Sequence, residues 1–280
     1  MALITVIVTT YNREDALDAA LRALSRQSDR NFEIVIADDG SRPETAALIE
    51  SWRARLPVPL KHVRHEHRGF RGGEIRNRGI VASDGELCIF LDGDCLASGD
   101  FIAAHRKLAE PGWFVTGTRI LLSADLTDRI LHQGLEPELW GFASWLVHRS
   151  RRHLNRFAPL LELRLGVMRK LSARRWRGAR GSNMAFWRAD LDKVDGFDAA
   201  YSGWGREDSD IFIRMIRAGA LRKDGRFATG VLHLWHPEAD RARLDENERM
   251  LADVIDGTRV RAKQGLSRVV EETSASIAHA

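Results

Sequence analysis

The amino-acid sequence predicts an α/β fold: a mostly parallel sheet flanked by helices, carrying a basic helical insertion. Three observations lead there. Through the first 120 residues, short β-branched apolar runs alternate with longer segments of helical apolar spacing, the pattern that parallel strands with helices on both faces impose. Three of those runs end in polar clusters, Thr9-Thr10-Tyr11-Asn12, Asp38-Asp39-Gly40-Ser41 and Asp92-Gly93-Asp94. Chemistry in such sheets gathers at the carboxyl ends of the strands, so the three clusters are expected in one crevice. From about Ala124 to Arg180 the alternation stops and arginines accumulate.

Taken in order, Leu3–Thr9 reads as a buried strand and Arg13–Gln27 as a helix with Ala16, Leu17, Ala20, Leu21 and Leu24 on one face. Phe32–Ala37 is a second strand. Pro43 and Glu44 open a helix reaching about Ala54, because proline suits the first helical turn. Leu60–His65 is a third strand, Glu74–Ala82 a helix, Leu87–Leu91 a fourth strand, Phe101–Leu108 a helix and Trp113–Leu122 a strand. In the insertion, Arg149, Arg151, Arg152, Arg156, Arg164, Arg169, Lys170, Arg174, Arg175, Arg177 and Arg180 have Glu162 as the one acid among them. Trp140, Trp145, Trp176 and several leucines are interleaved, so helices with one basic and one apolar face are expected. Beyond Gly181 come a strand near Asn183–Trp187, a helix at Glu207–Ala218, a strand near Phe227–His233 and a helix around Asp245–Lys263, with fraying from Glu271.

At 280 residues, 44% hydrophobic and 29% charged, the chain can bury a sizeable core and is not of disordered composition. Two cysteines, Cys88 and Cys95, make no disulfide framework and fit a reducing compartment. The apolar start is too short for a secretory leader and reads as the first strand. No run approaches the ~18 apolar residues of a membrane span, so a synthase with its own channel is not expected. The net charge of +4 matters only where the arginines cluster.

The residues that carry chemistry follow the strands. Asp92 and Asp94 flank a glycine and can aim at one divalent cation, which would neutralise a diphosphate; an Asp-Gly pair also makes an ordinary solvated turn. Asp39 can accept from a nucleobase N–H or a ribose hydroxyl, while Ser41 is placed to cap the helix at Pro43. Arg71 and Arg76 suit phosphate oxygens, or a solvated basic face. Gly203-Trp204-Gly205 leads into Glu207, Asp208 and Asp210. Acids at a helix start are favoured by the helix dipole, but a tryptophan between two glycines points to a loop that stacks on a sugar, with a carboxylate base beside it. His233 and His236 follow a strand and add imidazole, which suits manganese, iron or zinc better than magnesium or calcium.

In this order the clusters resemble glycosyltransferase family 2 with the GT-A (Rossmann-like) fold. The opening strand with Thr-Thr-Tyr-Asn-Arg, the Asp-Asp-Gly-Ser turn, Arg-Asn-Arg-Gly-Ile and Leu-Asp-Gly-Asp match its pattern. Gly181–Gly219, with Gly-Ser-Asn-Met-Ala-Phe, Gly-Phe-Asp and Gly-Trp-Gly-Arg-Glu-Asp, resembles the C-terminal half of galactosyltransferase-type enzymes. The resemblance implies one continuous domain: residues 1–122 for the nucleotide sugar, 123–180 the basic insertion, 181–280 for acceptor and catalysis. It implies donor contacts at Thr9, Tyr11, Asn12, Arg13, Asp39, Arg71, Arg76, Asn77, Asp92 and Gly93, with Asp39 reading uracil. Mn²⁺ (or Mg²⁺) would be held by Asp94 with His233 or His236, Asp208 would be the base, and Glu207, Trp204 and Asn183 would face the acceptor. Glu74 and Ile75 depart from the small residues usual before Arg-Asn.

The expected reaction is inverting transfer of a hexose, galactose or glucose or an N-acetyl derivative, from a UDP-sugar to a saccharide or lipid-linked acceptor in bacterial surface polysaccharide or lipopolysaccharide synthesis. The expected location is cytoplasmic, peripheral on an anionic inner membrane face, with no nucleic-acid partner. A nucleotidyltransferase or dinucleotide-binding enzyme would want glycines after the first strand, where Thr-Thr-Tyr-Asn-Arg stands. A nucleic-acid-binding protein would use the arginines but leave the acidic turns unexplained.

Overall fold

The computed structural model describes residues 1–238 and 240–278. The chain runs β1 (Ile4–Thr10), α1 (Glu14–Ser25), β2 (Phe32–Asp38), α2 (Pro43–Arg53), β3 (Leu60–Arg64), α3 (Gly72–Ala82), β4 (Leu87–Asp92), β5 (Cys95–Ala97), α4 (Phe101–Leu108), β6 (Trp113–Thr116), β7 (Thr118–Leu121), α5 (Ala124–Gln133) and α6 (Phe142–Ser150). It continues through β8 (Asn183–Trp187), α7 (Arg188–Val194), α8 (Glu207–Arg217), β9 (Leu221–Asp224), β10 (Gly230–His233), α9 (Leu244–Asp256) and α10 (Leu266–Ala278). A seven-stranded sheet has the order β3-β2-β1-β4-β8-β6-β9, and a three-stranded sheet the order β5-β10-β7. In the large sheet β8 runs antiparallel to β4 and β6, and the remaining pairs are parallel.

Burial on both faces explains the continuous apolar runs of the central strands. Ile4, Val6, Val8, Ile34, Ile36, Ile89 and Leu91 pack on one face with Leu17, Leu21 and Leu24 of α1, Trp52 of α2 and Phe101 of α4. Ile7, Val35, Cys88 and Phe90 pack on the other with Ile75 and Ile80 of α3, Leu191 of α7, and Ile211, Phe212 and Met215 of α8. The alanines of α1 face a third cluster, which holds Leu96 and Leu232 of the small sheet with Leu126 and Trp145.

Several expectations change. Trp113–Leu122 is two strands in two sheets, broken at Gly117, where a Cβ would overlap the Asn183 amide. The basic insertion is helical only in its first part, α5 and α6; beyond α6, where helices with one basic and one apolar face are expected, it runs through turns and short 3-10 segments at Ala158–Leu160 and Gly166–Lys170. Pro159 and glycines 166 and 178 interrupt helical hydrogen bonding there. Lys170 and the buried Arg169 bond to the protein body rather than forming one solvent face. The tail does not fray at Glu271, because α10 packs on α3 and runs to Ala278, while α9 ends at Asp256 rather than Lys263. Among the described residues, no helix is long and apolar enough to cross a membrane.

Candidate active site

Parallel register aligns the strand ends. Thr9 of β1 lies opposite Ala37 of β2 and Asp92 of β4, and Thr10 opposite Asp38. The strand order reverses between β1 and β4, which makes this edge the switch point of the sheet. Gly93 returns the chain over β1: its N–H donates to Thr9 O at 2.8 Å, and a Cβ there would meet that oxygen at 2.7 Å.

On the β1–β2 side, Asp38 is structural: its carboxylate accepts from Ser41 N at 2.7 Å and meets His62 Nε2 at 3.1 Å. Asp39 is the residue turned to the strand ends. Its Oδ1 lies 2.5 Å from His65 Nε2, and its Oδ2 accepts from Arg71 N at 3.1 Å. His65 Nδ1 lies 3.4 Å from Glu74 Oε1, so the ring stands between two carboxylates. Burial works against its charge, but the bonds to Asp39 and Glu74 outweigh burial and raise its pKa. The bond from His65, with Arg78 and Arg71 nearby, lowers the Glu74 carboxyl to about 2 against its own burial. The half-exposed Tyr11 ring stacks on His67 with centroids 4.5 Å apart. Asn12, at φ 47°, donates from its N–H to Ser41 Oγ and accepts from Arg42 N. Ser41 therefore ties the two turns together and does not cap α2, correcting the capping expectation. Arg13 pairs with Asp15 at 3.1 Å.

The β4 side joins the two halves of the chain. Thr9 Oγ1 donates to Asp92 Oδ1 at 3.1 Å, and the buried Arg76 reaches the same oxygen at 3.4 Å. Arg76 also donates to Glu207 Oε1 at 3.1 Å. Burial alone would lower this guanidinium's pKa, but Glu207 and Asp92 raise it; burial raises the Glu207 carboxyl despite Arg76. Next to Glu207, Asp208 Oδ2 accepts from Gly181 N at 3.0 Å and its Oδ1 from Ser209 N at 2.6 Å. The turn before α8 is special backbone: Gly203, Gly205 and Arg206 have φ of 72°, 106° and 81°. Non-glycine residues held in this backbone region cluster at ligand and active-site loops. Trp204 is 40% exposed, with the Arg241 guanidinium 5.2 Å from its ring centroid.

Asp94 lies between two imidazoles, 3.6 Å from His233 Nε2 and 3.3 Å from His236 Nε2. Burial raises its carboxyl, and the two histidines pull the other way. Asp94, Cys95 and His233 place ligand-type atoms within 4.8 Å of one another. Burial and the neighbouring Asp94 and Asp92 hold the Cys95 thiol well above its ordinary value, and a thiolate is a soft ligand that manganese favours less than carboxylate or imidazole. The donor set is thus carboxylate and imidazole at spacings a first-row divalent ion can span, and these residues fit Mn²⁺.

Two expected site residues lie elsewhere. Asn77 is fully buried, its amide exchanging bonds of 2.8 Å with Phe197 N and O. Asn183 is buried between the sheets, against His105 at 3.2 Å and the carbonyls of Thr118 and Thr229. Both satisfy interior polar groups, the usual use of a buried amide. The Arg71 side chain is held by Glu74 at 2.8 Å and by Glu66 O, so its backbone N–H, not its guanidinium, serves the Asp39 cluster. In Gly-Phe-Asp, Asp198 accepts from Ala200 N, Lys263 N and Gln264 N, a scaffold role. His65 and His67 beside Asp39, and Cys95 beside Asp94, are not among the expected site residues. His65 and His67 follow β3, and the rule that singled out the other strand ends applies there too.

A model of glycosyl transferase family 2 matches residues 5–162, and one described as the N-terminal domain of galactosyltransferase matches 167–230. Validoxylamine A glucosyltransferase of Streptomyces hygroscopicus subsp. limoneus is 30% identical over 242 residues, 82% of this chain and 51% of that protein. The chain thus spans about half the length of the curated relatives it first matches. Among solved structures, the mannosyltransferase PcManGT from Pyrobaculum calidifontis, in complex with GDP-Man and Mn²⁺, superposes with a TM-score of 0.60 at 20% identity, covering 91% of this chain and 65% of that one. S. aureus TarS 1-349 in complex with UDP gives 0.60 at 16% identity, covering 95% and 68%. The first family model spans more than half of the sequence and the architecture agrees: the chain belongs to glycosyl transferase family 2 and has the GT-A fold.

Proposed function

We propose that this chain is a metal-dependent, inverting glycosyltransferase. It moves a hexose (galactose, glucose or an N-acetyl derivative) from a UDP-sugar to a hydroxyl of a saccharide or lipid-linked acceptor in bacterial surface polysaccharide synthesis, at the cytoplasmic face of the membrane. The carrying observation is the buried Arg76, whose one guanidinium holds both Asp92 at the end of β4 and Glu207 at the start of α8. It couples a donor-type acidic turn to an acid-rich acceptor helix. Family membership, a relative named as a glucosyltransferase and a neighbour solved with UDP support the reading.

In this reading Asp39 accepts from the uracil ring, Tyr11 and Thr9 border the nucleoside, and Arg76 faces the diphosphate. Asp94, His233 and His236 would hold Mn²⁺ (or Mg²⁺), which when bound offsets the negative charge of the leaving diphosphate. Asp208 removes the acceptor hydroxyl proton; that oxygen bonds the anomeric carbon as the bond from that carbon to the diphosphate oxygen breaks, releasing UDP. The hydrogen bonds from Gly181 and Ser209 aim the base, and Glu207 and Trp204 grip the acceptor. Calorimetry with UDP, UDP-sugars and GDP, each with Mn²⁺ and with chelator, tests the donor reading. Metal-dependent binding of UDP and one UDP-sugar is expected; a folded protein that binds no nucleotide overturns it.

A further inference from the structure

The segment from Leu163 to Arg180 lies outside the chemistry assigned above, and its surface is unusual. Val167, Met168 and Leu171 are 83%, 60% and 80% exposed. Around them, Arg164, Arg174, Arg175, Arg177 and Arg180 are exposed, and none has an acidic partner among the described residues. Soluble surfaces seldom combine large open aliphatic side chains with unneutralised arginines.

The segment is nonetheless anchored. The buried Arg169 donates to three carbonyls, Asp224 O at 2.8 Å, Arg226 O at 2.6 Å and Leu163 O at 2.9 Å. Lys170 pairs with Glu110 at 2.7 Å and lies 4.5 Å from the Trp113 ring centroid. Arg222 holds the carbonyls of Arg175 and Arg177. With the basic residues at 169 and 170 turned inward, the aliphatic ones between 167 and 171 are turned out. The segment then ends at Gly181, whose N–H binds Asp208.

We propose that this turn-built knob seats the protein on an anionic phospholipid bilayer, with Val167, Met168 and Leu171 entering the interface and the surrounding arginines on the headgroups. Arginines without carboxylate partners complement a negative surface, and the open aliphatic tips favour a bilayer over a soluble polyanion, which offers nothing apolar to bury. The contact places the Asp208 side of the site at the membrane, where a lipid-linked acceptor is presented. That link to the acceptor rests on the proposed transferase reading; the lipid contact does not.

The test is cosedimentation with sucrose-loaded vesicles, phosphatidylcholine alone against phosphatidylcholine with about a third phosphatidylglycerol, at about 0.1 M salt, where the screening length is ~10 Å. Binding to the anionic vesicles only is expected. Arg174→Gln with Arg175→Gln should lower partitioning about fivefold per arginine, and Val167→Ser with Leu171→Ser about tenfold or more. UDP binding by calorimetry on the same samples should not change, so loss of lipid binding and failure of the donor reading are told apart. Wild-type protein that ignores anionic vesicles even at low salt overturns the proposal. So does vesicle binding that is indifferent to the Val167 and Leu171 changes while the arginine changes abolish it, which would mark a surface for soluble polyanions.

Discussion

Asp39 meets His65 at 2.5 Å, and the histidine is the group whose charge changes with pH. His65 between Asp39 and Glu74 has a raised pKa, so its contribution to stability is fully present below its unfolded value near 6.5. That contribution is lost as pH rises through the higher folded value. Glu74 has the opposite sign: its contribution is present above 4.5 and is lost as pH falls toward about 2. Urea midpoints of wild type and His65→Asn should therefore differ most below pH 6.5 and converge as pH rises; a constant difference would deny the charged pairing. Removing the histidine should also weaken UDP binding, since Asp39 loses its support. At Asp208, replacement by Asn keeps an acceptor for Gly181 N but removes the base, so turnover should fall about 10²–10⁴-fold with UDP affinity unchanged. Wild-type turnover would remove Asp208 from the mechanism. The carboxylates and histidines after the strands were legible because their type and place are local facts. The His65 contact was not, since it joins β2 to residues after β3 and on α3.

At the scale of elements, α3 is a junction. Its Asn77 amide closes both backbone groups of Phe197, while Arg76, one residue earlier, faces Asp92 and Glu207. Adjacent residues on a helix point about 100° apart, so one serves the scaffold and the other the site. Asn77→Ala should strand a buried N–H and C=O and cost about 2–4 kcal/mol, read as a lower thermal midpoint with donor affinity kept in the folded fraction. A loss of UDP binding without loss of stability would return Asn77 to the donor site. Element positions came mostly within a residue or two of expectation, because apolar period and buried faces agree. The insertion did not follow: composition named its residues, but proline, glycine and the burial of Arg169 decided that it is turns.

For the molecule as a whole, Asn183 is a polar bridge between the two sheets, meeting His105 of α4, the β7 carbonyl of Thr118 and the carbonyl of Thr229. Burial lowers the His105 pKa to about 4, so this partner is neutral and the contact is an uncharged interior network. Asn183→Ala should cost about 2–4 kcal/mol by leaving these groups unpaired, with the acceptor KM unchanged in protein that remains folded; a raised KM at unchanged stability would reinstate it as an acceptor residue. The parallel α/β core, the strand-end placement of Thr9, Asp39, Asp92 and Asp94, and the acid-rich start of α8 are all written in local sequence, because alternation and turn chemistry act over a few residues. Long-range packing sets the rest: Asn77 and Asn183 are interior, Arg76 spans the two halves, both His233 and His236 face Asp94, and aliphatic tips rather than a helical face point out of the basic segment. Those outcomes depend on which distant groups need a partner once water is excluded, and no local pattern encodes that.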